Sequence, residues 1–400
     1  MKGEMEEHEI VIVGGGICGL ATALALHRKG IRSVVLERSQ TLRATGGGIG
    51  VMANGWRALD RLGVASKLRL TALPLARRRE IEINKGIERV TPNLLDIEIR
   101  CLKRTDLINT LADALPSCTL RFGCHVVSVK LDPFTSYPLL QLANGTTILT
   151  KVLIGCDGSR SVVADFLNLK ATRRCNISGT RGLATYANGH GFPLEFLRMS
   201  KNNIFVGRIP VDDKLVHWFV THPYTMASND HHPEHIRQLT VQLLDGFPTE
   251  IIDMVKGGDS DSLYLDHLWY RAPWDLLFPK FRKGTVTVAG DAMHVMGPFL
   301  GQGGSAGLED AVVLARCISQ KLSPSTGMEK LTIKRDDIEK AIDQYVKQRR
   351  KRVVLLSTQT YLTGLMMQPL TWIVKLLVII LLAFLFINPY SHIMYDCGPL

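Results

Sequence analysis

The chain has 400 residues, is 46% hydrophobic and 21% charged, and carries a formal net charge of +11. This composition is typical of a globular protein that can bury one large core or two smaller ones. The basic residues cluster at 77–79 and 347–352 without a zinc-binding or aromatic RNA-binding pattern, which excludes nucleic acid as the expected partner. Eight scattered cysteines without a C-x-x-C pair, and a charged N-terminus without a signal peptide, predict a reduced chain that faces the cytoplasm.

A strand, a glycine turn and a helix are predicted at the start of the chain. The apolar run 10–13 indicates a strand that is buried on both faces, and an Ala/Leu-rich helix follows the turn. Gly14 permits the tight turn, Gly16 lets the backbone approach a pyrophosphate, and Gly19 lets helix and strand pack closely. A plain glycine turn is the alternative, but this context favours a dinucleotide site with phosphate at the helix N-terminus.

The second predicted strand, residues 33–36, ends at Glu37, and Arg38 follows it. The Glu37 carboxylate is placed to accept hydrogen bonds from ribose hydroxyls. It would also repel a 2′-phosphate, so we expect FAD or NAD in this pocket rather than NADP.

A glycine-rich loop at 46–50 follows, and its backbone can lie against a flat ring system; a mobile loop is the alternative. The next segments predict a helix near 54–62, strands within 77–99, and an amphipathic helix after Arg104. Residues 126–129 and 139–142 indicate antiparallel strands, with a turn at Asn144 and Gly145.

Two further strands are predicted to end in acids. The apolar run 151–156 leads to Asp157, and the run 285–289 leads to Asp291. After Asp291, a glycine turn opens another apolar helix, whose first N–H groups face any ligand at that edge. Between Asp157 and Asp291, residues 173–270 are rich in β-branched residues. They predict a separate, mostly antiparallel layer with one helix near 235–244.

The C-terminal region contains an apolar segment at 369–387. As a helix, these 19 residues would extend about 28 Å, against a bilayer core of about 30 Å. Lys375 can snorkel, and the basic run 347–352 favours an enzyme domain on the cytosolic side. The segment is therefore expected either to associate with a membrane, spanning it or lying on it, or to pack on the enzyme.

Three ordered motifs resemble one enzyme family over about residues 8–355. They resemble the group A FAD-dependent monooxygenases, the aromatic hydroxylases, and most of all the salicylate- and urate-hydroxylase-like monooxygenases of plants. The motifs are Gly14-x-Gly16-x-x-Gly19 with Glu37, Asp157-Gly158 after a strand, and Gly290-Asp291-Ala292-x-His294 with Pro298 and Gly301-x-Gly303.

The resemblance implies an α/β fold with three parts. A Rossmann-type FAD-binding domain would comprise residues 1–74, 101–172 and 276–322. An interleaved antiparallel β-sheet substrate domain would comprise 75–100 and 173–275, and a helical tail 323–400.

The resemblance also implies roles for cofactor-binding residues. Glu37 would bind the adenosine ribose, Arg104 the phosphate or ribityl region, Val126 the adenine edge, and Asp291 the ribityl hydroxyls. Pro298 and the Gly48 loop would flank the flavin ring, and the turn from Gly301 to Gly304 would lie at its pyrimidine edge. The full expected set is Gly14, Gly16, Gly19, Glu37, Arg38, Gly48, Arg104, Val126, Asp157, Asp291, Pro298, Gly301, Gly303 and Gly304.

The implied reaction uses NADH or NADPH as a transient co-substrate to reduce FAD. The flavin then reacts with O2 to a C4a-hydroperoxide, which hydroxylates or epoxidises a small aromatic, heteroaromatic or isoprenoid-like substrate. No metal is expected, and the catalytic residues stay unassigned. The alternatives are a flavin reductase or dehydrogenase without oxygen insertion, and a non-catalytic flavin-binding membrane adaptor.

The sequence departs from the family pattern in two motifs, and two further residues are pocket candidates. Ala164 and Asp165 stand where relatives carry an arginine after the Asp-Gly motif, and Ser305 stands where an asparagine is common. His217 and Arg208 lie on predicted strands of the second layer, where alternation allows either to point into the pocket or away from it.

Overall fold

The computed structural model describes residues 5–42, 47–92, 97–223, 232–322, 333–368, 370–388 and 390–400. Gly46, Pro369 and the tail residues 323–332, which enter the predictions above, lie outside these ranges. Within the described residues the elements follow in this order: β1 (Met5–Val13), α1 (Ile17–Arg28), β2 (Val34–Leu36), β3 (Gly48–Val51), α2 (Ala53–Leu62), α3 (Ala65–Arg69), β4 (Arg77–Glu82), β5 (Ile87–Pro92), β6 (Arg100–Lys103), α4 (Arg104–Asp113), β7 (Leu120–Arg121), β8 (Val126–Leu131), β9 (Pro138–Leu142), β10 (Thr147–Gly155), α5 (Val162–Phe166), β11 (Arg173–Thr185), β12 (Glu195–Lys201), β13 (Ile204–Pro210), β14 (Leu215–Pro223), α6 (Pro233–Leu243), α7 (Thr249–Lys256), β15 (Tyr264–Tyr270), β16 (Arg282–Lys283), β17 (Val286–Val288), α8 (Asp291–His294), α9 (Gly303–Lys321), α10 (Arg335–Met366), α11 (Trp372–Leu385) and α12 (Ser391–Met394).

The first sheet has the strand order β16-β17-β10-β1-β2-β7, and the β8–β9 hairpin extends from β10. The strands β17, β10, β1, β2 and β7 pair in parallel. Their carboxyl ends therefore meet at one edge of the sheet, where a ligand site is expected. The register, with Ile12 opposite both Val35 and Ile154, brings the turns after β1, β2 and β10 together.

Helices α1 and α9 pack against each other beside this sheet, and α10 packs against α9. Nine of the twelve α1 residues are buried, so the helix is apolar on most of its surface, as a central helix must be. The resulting core joins β1, β10 and β17 to the three helices, and it fixes the edge at which the strands end.

The second sheet has the order β15-β11-β14-β13-β12-β4-β5. Its strands are antiparallel except for β4, which pairs in parallel with β12. Helices α6 and α7 pack on one face around Trp218. The sequence predicted only one helix here; α7 was missed because it is short and begins directly after Pro248.

The apolar C-terminal segment forms a shorter helix than predicted. The 19-residue span is wrong, because α11 covers 14 residues, beginning after Thr371 and ending before Phe386. In the ranges that the structure describes, no helix combines the length and apolar character needed to cross a bilayer. Beyond α11 the chain returns to the enzyme, where Ile393 of α12 packs with Ala53 and Ile97.

Candidate cofactor and substrate site

Of the three fingerprint glycines in the turn after β1, only Gly16 has open space beside it. Gly14 has φ +105°, and a Cβ there would collide with the carbonyl oxygen of Cys156. A Cβ on Gly19 would collide with the carbonyl oxygen of Gly14. A Cβ on Gly16 would meet nothing within 4 Å. The open space beside Gly16, at the start of α1, fits the pyrophosphate of a dinucleotide.

The carboxylate of Glu37 contacts the backbone of this turn. Its Oε2 accepts the N–H of Gly15 at 2.8 Å, and its Oε1 accepts the N–H of Ser39 at 2.8 Å. Burial opposes ionisation, but the N–H groups of Ser39 and Gly15 outweigh it and lower the pKa of Glu37. Because a carboxylate has about four acceptor positions, Glu37 retains capacity for two ribose hydroxyls.

The side chains expected near the adenosine lie around Glu37. Arg38 follows it and is exposed, and Val126 is buried in β8. The N–H of Cys124 donates to the carbonyl of Glu37 at 2.8 Å. The segment before β8 therefore lies beside the end of β2.

The Asp157 carboxylate is directed at α5. It accepts the hydroxyl of Ser161 at 2.5 Å and the N–H of Val162 at 2.8 Å. Burial raises the pKa of Asp157, against these hydrogen bonds. Ala164 is buried and its N–H donates to Ser161 Oγ, and Asp165 is exposed.

Asp291 and the glycine turn before α9 come together at the same edge. Gly290 has φ +61°, and Asp291 after it is exposed. A Cβ on Gly303 would lie 4.0 Å from Asp291 Oδ1, and one on Gly304 would lie 2.8 Å from Ile49 Cδ1. The N-terminus of α9 thus lies beside Asp291 and β3, and the first N–H groups of a helix have no intrahelical partner.

Pro298 and Gly301 lie on the connection between α8 and α9. Both are exposed, and Gly301 has φ +63°. Ser305 is buried, and a Cβ on Gly55 would lie only 2.5 Å from the Ser305 Oγ. Helices α9 and α2 therefore approach closely at this point, and serine, which is smaller than asparagine, fits between them.

A buried charged network beneath Asp291 was missed by the sequence analysis. Asp310 Oδ2 accepts the N–H of Gly290 at 2.8 Å and lies 2.6 Å from His294 Nε2, while its Oδ1 lies 2.6 Å from Arg349 Nε. Arg349 also contacts Glu309 at 2.8 Å. Burial opposes ionisation of Asp310, but His294 and Arg349 lower its pKa to about 2. Two consecutive acids on the apolar α9 were the available signal.

Arg104 is the first residue of α4, directly after β6. Its N–H donates to the carbonyl of Gly47 at 2.9 Å. Burial and then the charge of Arg181 lower the pKa of Arg104, while Asp291 and Asp266 raise it. Arg104 is therefore electrostatically coupled to the first sheet through Asp291 and to the second through Asp266 and Arg181.

His217 lies against Gly48, the first residue of β3. The loop predicted at 46–50 is wrong from Gly48 onward, because residues 48–50 pair with β6 as a strand. We call Gly47 and Gly48, where the chain enters β3, the Gly48 loop. A Cβ on Gly48 would lie 2.5 Å from the His217 ring, whose Nδ1 is 3.3 Å from Gly48 N and 3.1 Å from Gly182 O. An Nδ1–H tautomer donates to Gly182, and an Nε2–H tautomer accepts from Gly48. Burial lowers the pKa of His217 to about 4, so the ring is neutral at pH 7.

Arg208 points to the opposite face of the same sheet. Its guanidinium contacts Glu250 of α7 and Glu195, and it stacks 3.8 Å from the centre of the Phe192 ring. Of the two pocket candidates, only His217 therefore faces the Gly48 loop.

Aromatic side chains accompany His217 on that face. The rings of His217 and Phe219 lie 6.2 Å apart, and those of Phe219 and Phe196 lie 6.3 Å apart. The Phe219 ring covers Gly207, where a Cβ would collide with it. We call His217, Phe219 and Phe196 the aromatic face.

The similarity to known proteins agrees with this geometry. A family model described as an FAD binding domain matches residues 7–353. Monooxygenase 1 of Arabidopsis thaliana is 50% identical over 398 residues, 99% of this chain and 100% of that protein. Monooxygenase 2 of the same plant is 37% identical over 374 residues, 91% of each chain.

The fold is also similar to a solved structure, that of Klebsiella pneumoniae HpxO complexed with FAD and uric acid. The TM-score is 0.81 at 20% sequence identity, with 98% of each chain covered. The predicted fold class, family and FAD cofactor are confirmed, and nothing supports the alternative of a reductase or an adaptor. The chain belongs to the FAD-binding monooxygenase family and is an FAD-dependent monooxygenase.

Proposed function

We propose that this monooxygenase hydroxylates a small, flat aromatic or heteroaromatic compound bound against the aromatic face. The observation that carries the proposal is the position of His217 and Phe219, side by side on β14 and opposite the Gly48 loop. Offset or edge-on ring contacts favour a flat aromatic partner. HpxO, which shares the fold, is solved with the heteroaromatic uric acid.

The proposed cofactor site comprises the residues that meet at the carboxyl edge of the first sheet. Gly14 and Gly19 shape the turn and Gly16 admits the pyrophosphate, Glu37 with Arg38 and Val126 hold the adenosine, and Arg104 with Asp291 hold the ribityl chain. Gly48, Pro298, Gly301, Gly303 and Gly304 surround the ring, and Asp157 supports the turn between the strand ends. FAD bound there supplies hydride acceptance and oxygen activation.

The first turn of α9 contributes a favourable electrostatic interaction to this site. Its N–H groups at Gly303 and Gly304 can stabilise negative charge at the pyrimidine edge of the ring, by ~0.3–1 kcal/mol when exposed and up to ~2 kcal/mol when partly buried. The Nδ1 atom of the neutral His217 can accept a hydrogen bond from the N–H of Gly48. This bond would hold the Gly48 loop beside the aromatic face.

We also propose the division into an FAD-binding domain (1–74, 101–172 and 276–322), a substrate domain (75–100 and 173–275) and a helical region (323–400). The second sheet draws strands from both parts of the substrate domain, which supports this division. NADH or NADPH is the proposed transient electron donor, and the cytoplasm is the proposed compartment.

The test is substrate-stimulated oxidation of NADH and NADPH by the FAD-loaded enzyme with phenols, purines and isoprenoids. We expect flat ring compounds to stimulate oxidation, and Phe219→Ala to raise KM for them about tenfold or more without changing the bound-flavin spectrum. Phe192→Ala, on the opposite face beside Arg208, is the matched control and should leave KM unchanged. Stimulation by isoprenoids alone, or equal effects of the two variants, would refute the proposed substrate surface.

A further inference from the structure

Helix α11 exposes an unusually large apolar surface. Within Trp372–Leu385 only Val378 is buried. Trp372 is 73% exposed, Leu377 60% and Phe384 79%. A stretch this apolar marks an interaction surface when it is left in contact with water.

The apolar surface surrounds the helix rather than forming one stripe. Successive side chains project about 100° apart, and the consecutive residues 379–381 are all exposed and apolar. Lys375 carries the helix's single charged side chain. A folded protein partner would cover one face and leave the others in water, whereas lipid acyl chains can surround every face that α10 does not cover.

Both ends of α11 are attached to the same enzyme body. Helix α10 precedes it, and after it Arg57 donates to the carbonyl of Met394 at 2.7 Å, and Arg352 to that of His392 at 2.7 Å. At 1.5 Å per residue its 14 residues extend about 21 Å, less than the bilayer core of about 30 Å. The chain must therefore leave and re-enter the enzyme on one side of a membrane.

Aromatic residues at the two ends of α11, and lysines on α10, are of the kinds found at membrane interfaces. Trp372 begins the helix and Tyr390 follows it, and both are exposed. From Lys347 to Leu385 the chain has no Asp or Glu, and Lys347 and Lys351 are exposed on α10. Aromatic rings and lysines are enriched at membrane interfaces, and exposed lysines are attracted to anionic lipids.

We propose that α11 docks into one leaflet of an anionic membrane, with its axis near the interface and Val378 turned towards α10. The enzyme body then takes the place that the polar face occupies in an ordinary interfacial helix. This docking is independent of the substrate proposed above, because none of the residues placed at the cofactor or substrate site belongs to α11.

The test is flotation of the full-length, FAD-loaded enzyme with vesicles of neutral phosphatidylcholine, with and without 30% phosphatidylglycerol. We expect binding to both, at least threefold tighter with the anionic lipid at low salt. The double variant Ile380→Glu with Phe384→Glu should bind at least tenfold more weakly. Its flavin content and NAD(P)H oxidation should stay at wild-type levels, because both side chains are exposed.

The matched control is Leu70→Glu with Phe134→Glu, two side chains that are 86% and 94% exposed outside α11. It should float like the wild type. Failure of the wild type to float would overturn the proposal, as would a stable dimer in sedimentation that the Ile380→Glu, Phe384→Glu variant dissociates. An equal loss of flotation in the control pair would also overturn it.

Discussion

Asp310 accepts the backbone N–H of Gly290 at 2.8 Å while its other carboxylate oxygen lies 2.6 Å from Arg349. Gly290 precedes Asp291, the residue proposed to hold the ribityl chain, and Arg349 lies on α10. A buried ion pair thus joins α10 to the turn that positions Asp291. We therefore assign Asp310 a positioning role.

Asp310→Asn should destabilise the enzyme by about 3 kcal/mol or more, because breaking a buried ion pair leaves Arg349 partly uncompensated. Thermal unfolding of the flavin-free protein measures this loss. The control is Asp343→Asn, which breaks an exposed pair with Arg282 and should cost ~0–1 kcal/mol. Equal costs for the two variants would contradict the role assigned to Asp310.

The charged network and the aromatic face show what the sequence left undetermined. The glycine turn after β1 and the acids after β2 and β17 were predictable, because strand, turn and helix leave a local pattern. The pairing of Asp310 with Arg349 joins residues that are distant in sequence, and no local pattern reports it. The orientations of His217 and Arg208 depend on strand register, since a one-residue shift exchanges the two faces.

Gly16→Val should weaken FAD binding at least tenfold while leaving the flavin-free protein as stable as the wild type. Gly16 has φ −82° and open space at its Cβ, so valine fits the fold but occupies the proposed pyrophosphate position. Titration of the flavin-free protein with FAD measures the effect.

Gly14→Val is the informative contrast. A Cβ at position 14 would collide with the carbonyl oxygen of Cys156, and the φ of Gly14 is +105°, so we expect Gly14→Val to destabilise the flavin-free protein itself. A Gly16→Val protein with the wild-type dissociation constant for FAD would place the cofactor elsewhere.

Asp291→Ala should raise the FAD dissociation constant about tenfold, because the ribityl hydroxyls lose their carboxylate acceptor. Asp291→Asn keeps an acceptor at the same place and should have a smaller effect. Fluorescence titration distinguishes the two variants. An unchanged dissociation constant in Asp291→Ala would remove Asp291 from the site.

His217 should make the enzyme less stable as the pH falls from about 6.5 to about 4. Its pKa is depressed in the folded state from 6.5 to about 4, so over this interval the unfolded chain binds a proton that the folded chain does not. The loss of unfolding free energy is on the order of 3 kcal/mol and ends below pH 4.

Denaturant unfolding of the wild type and His217→Gln at several pH values measures this contribution. The variant should lose less stability over the interval, whereas His125→Gln, which removes an exposed histidine, should follow the wild type. Identical pH dependences of wild type and His217→Gln would show that His217 is not buried in the neutral form.

The most direct test of the central claim is turnover under heavy-oxygen gas, with mass spectrometry of the product formed from a compound that stimulates NAD(P)H oxidation. An FAD-dependent monooxygenase should place one labelled oxygen atom in the product for each substrate molecule converted. Reduction of the flavin and consumption of NAD(P)H with no label in any product would contradict the account.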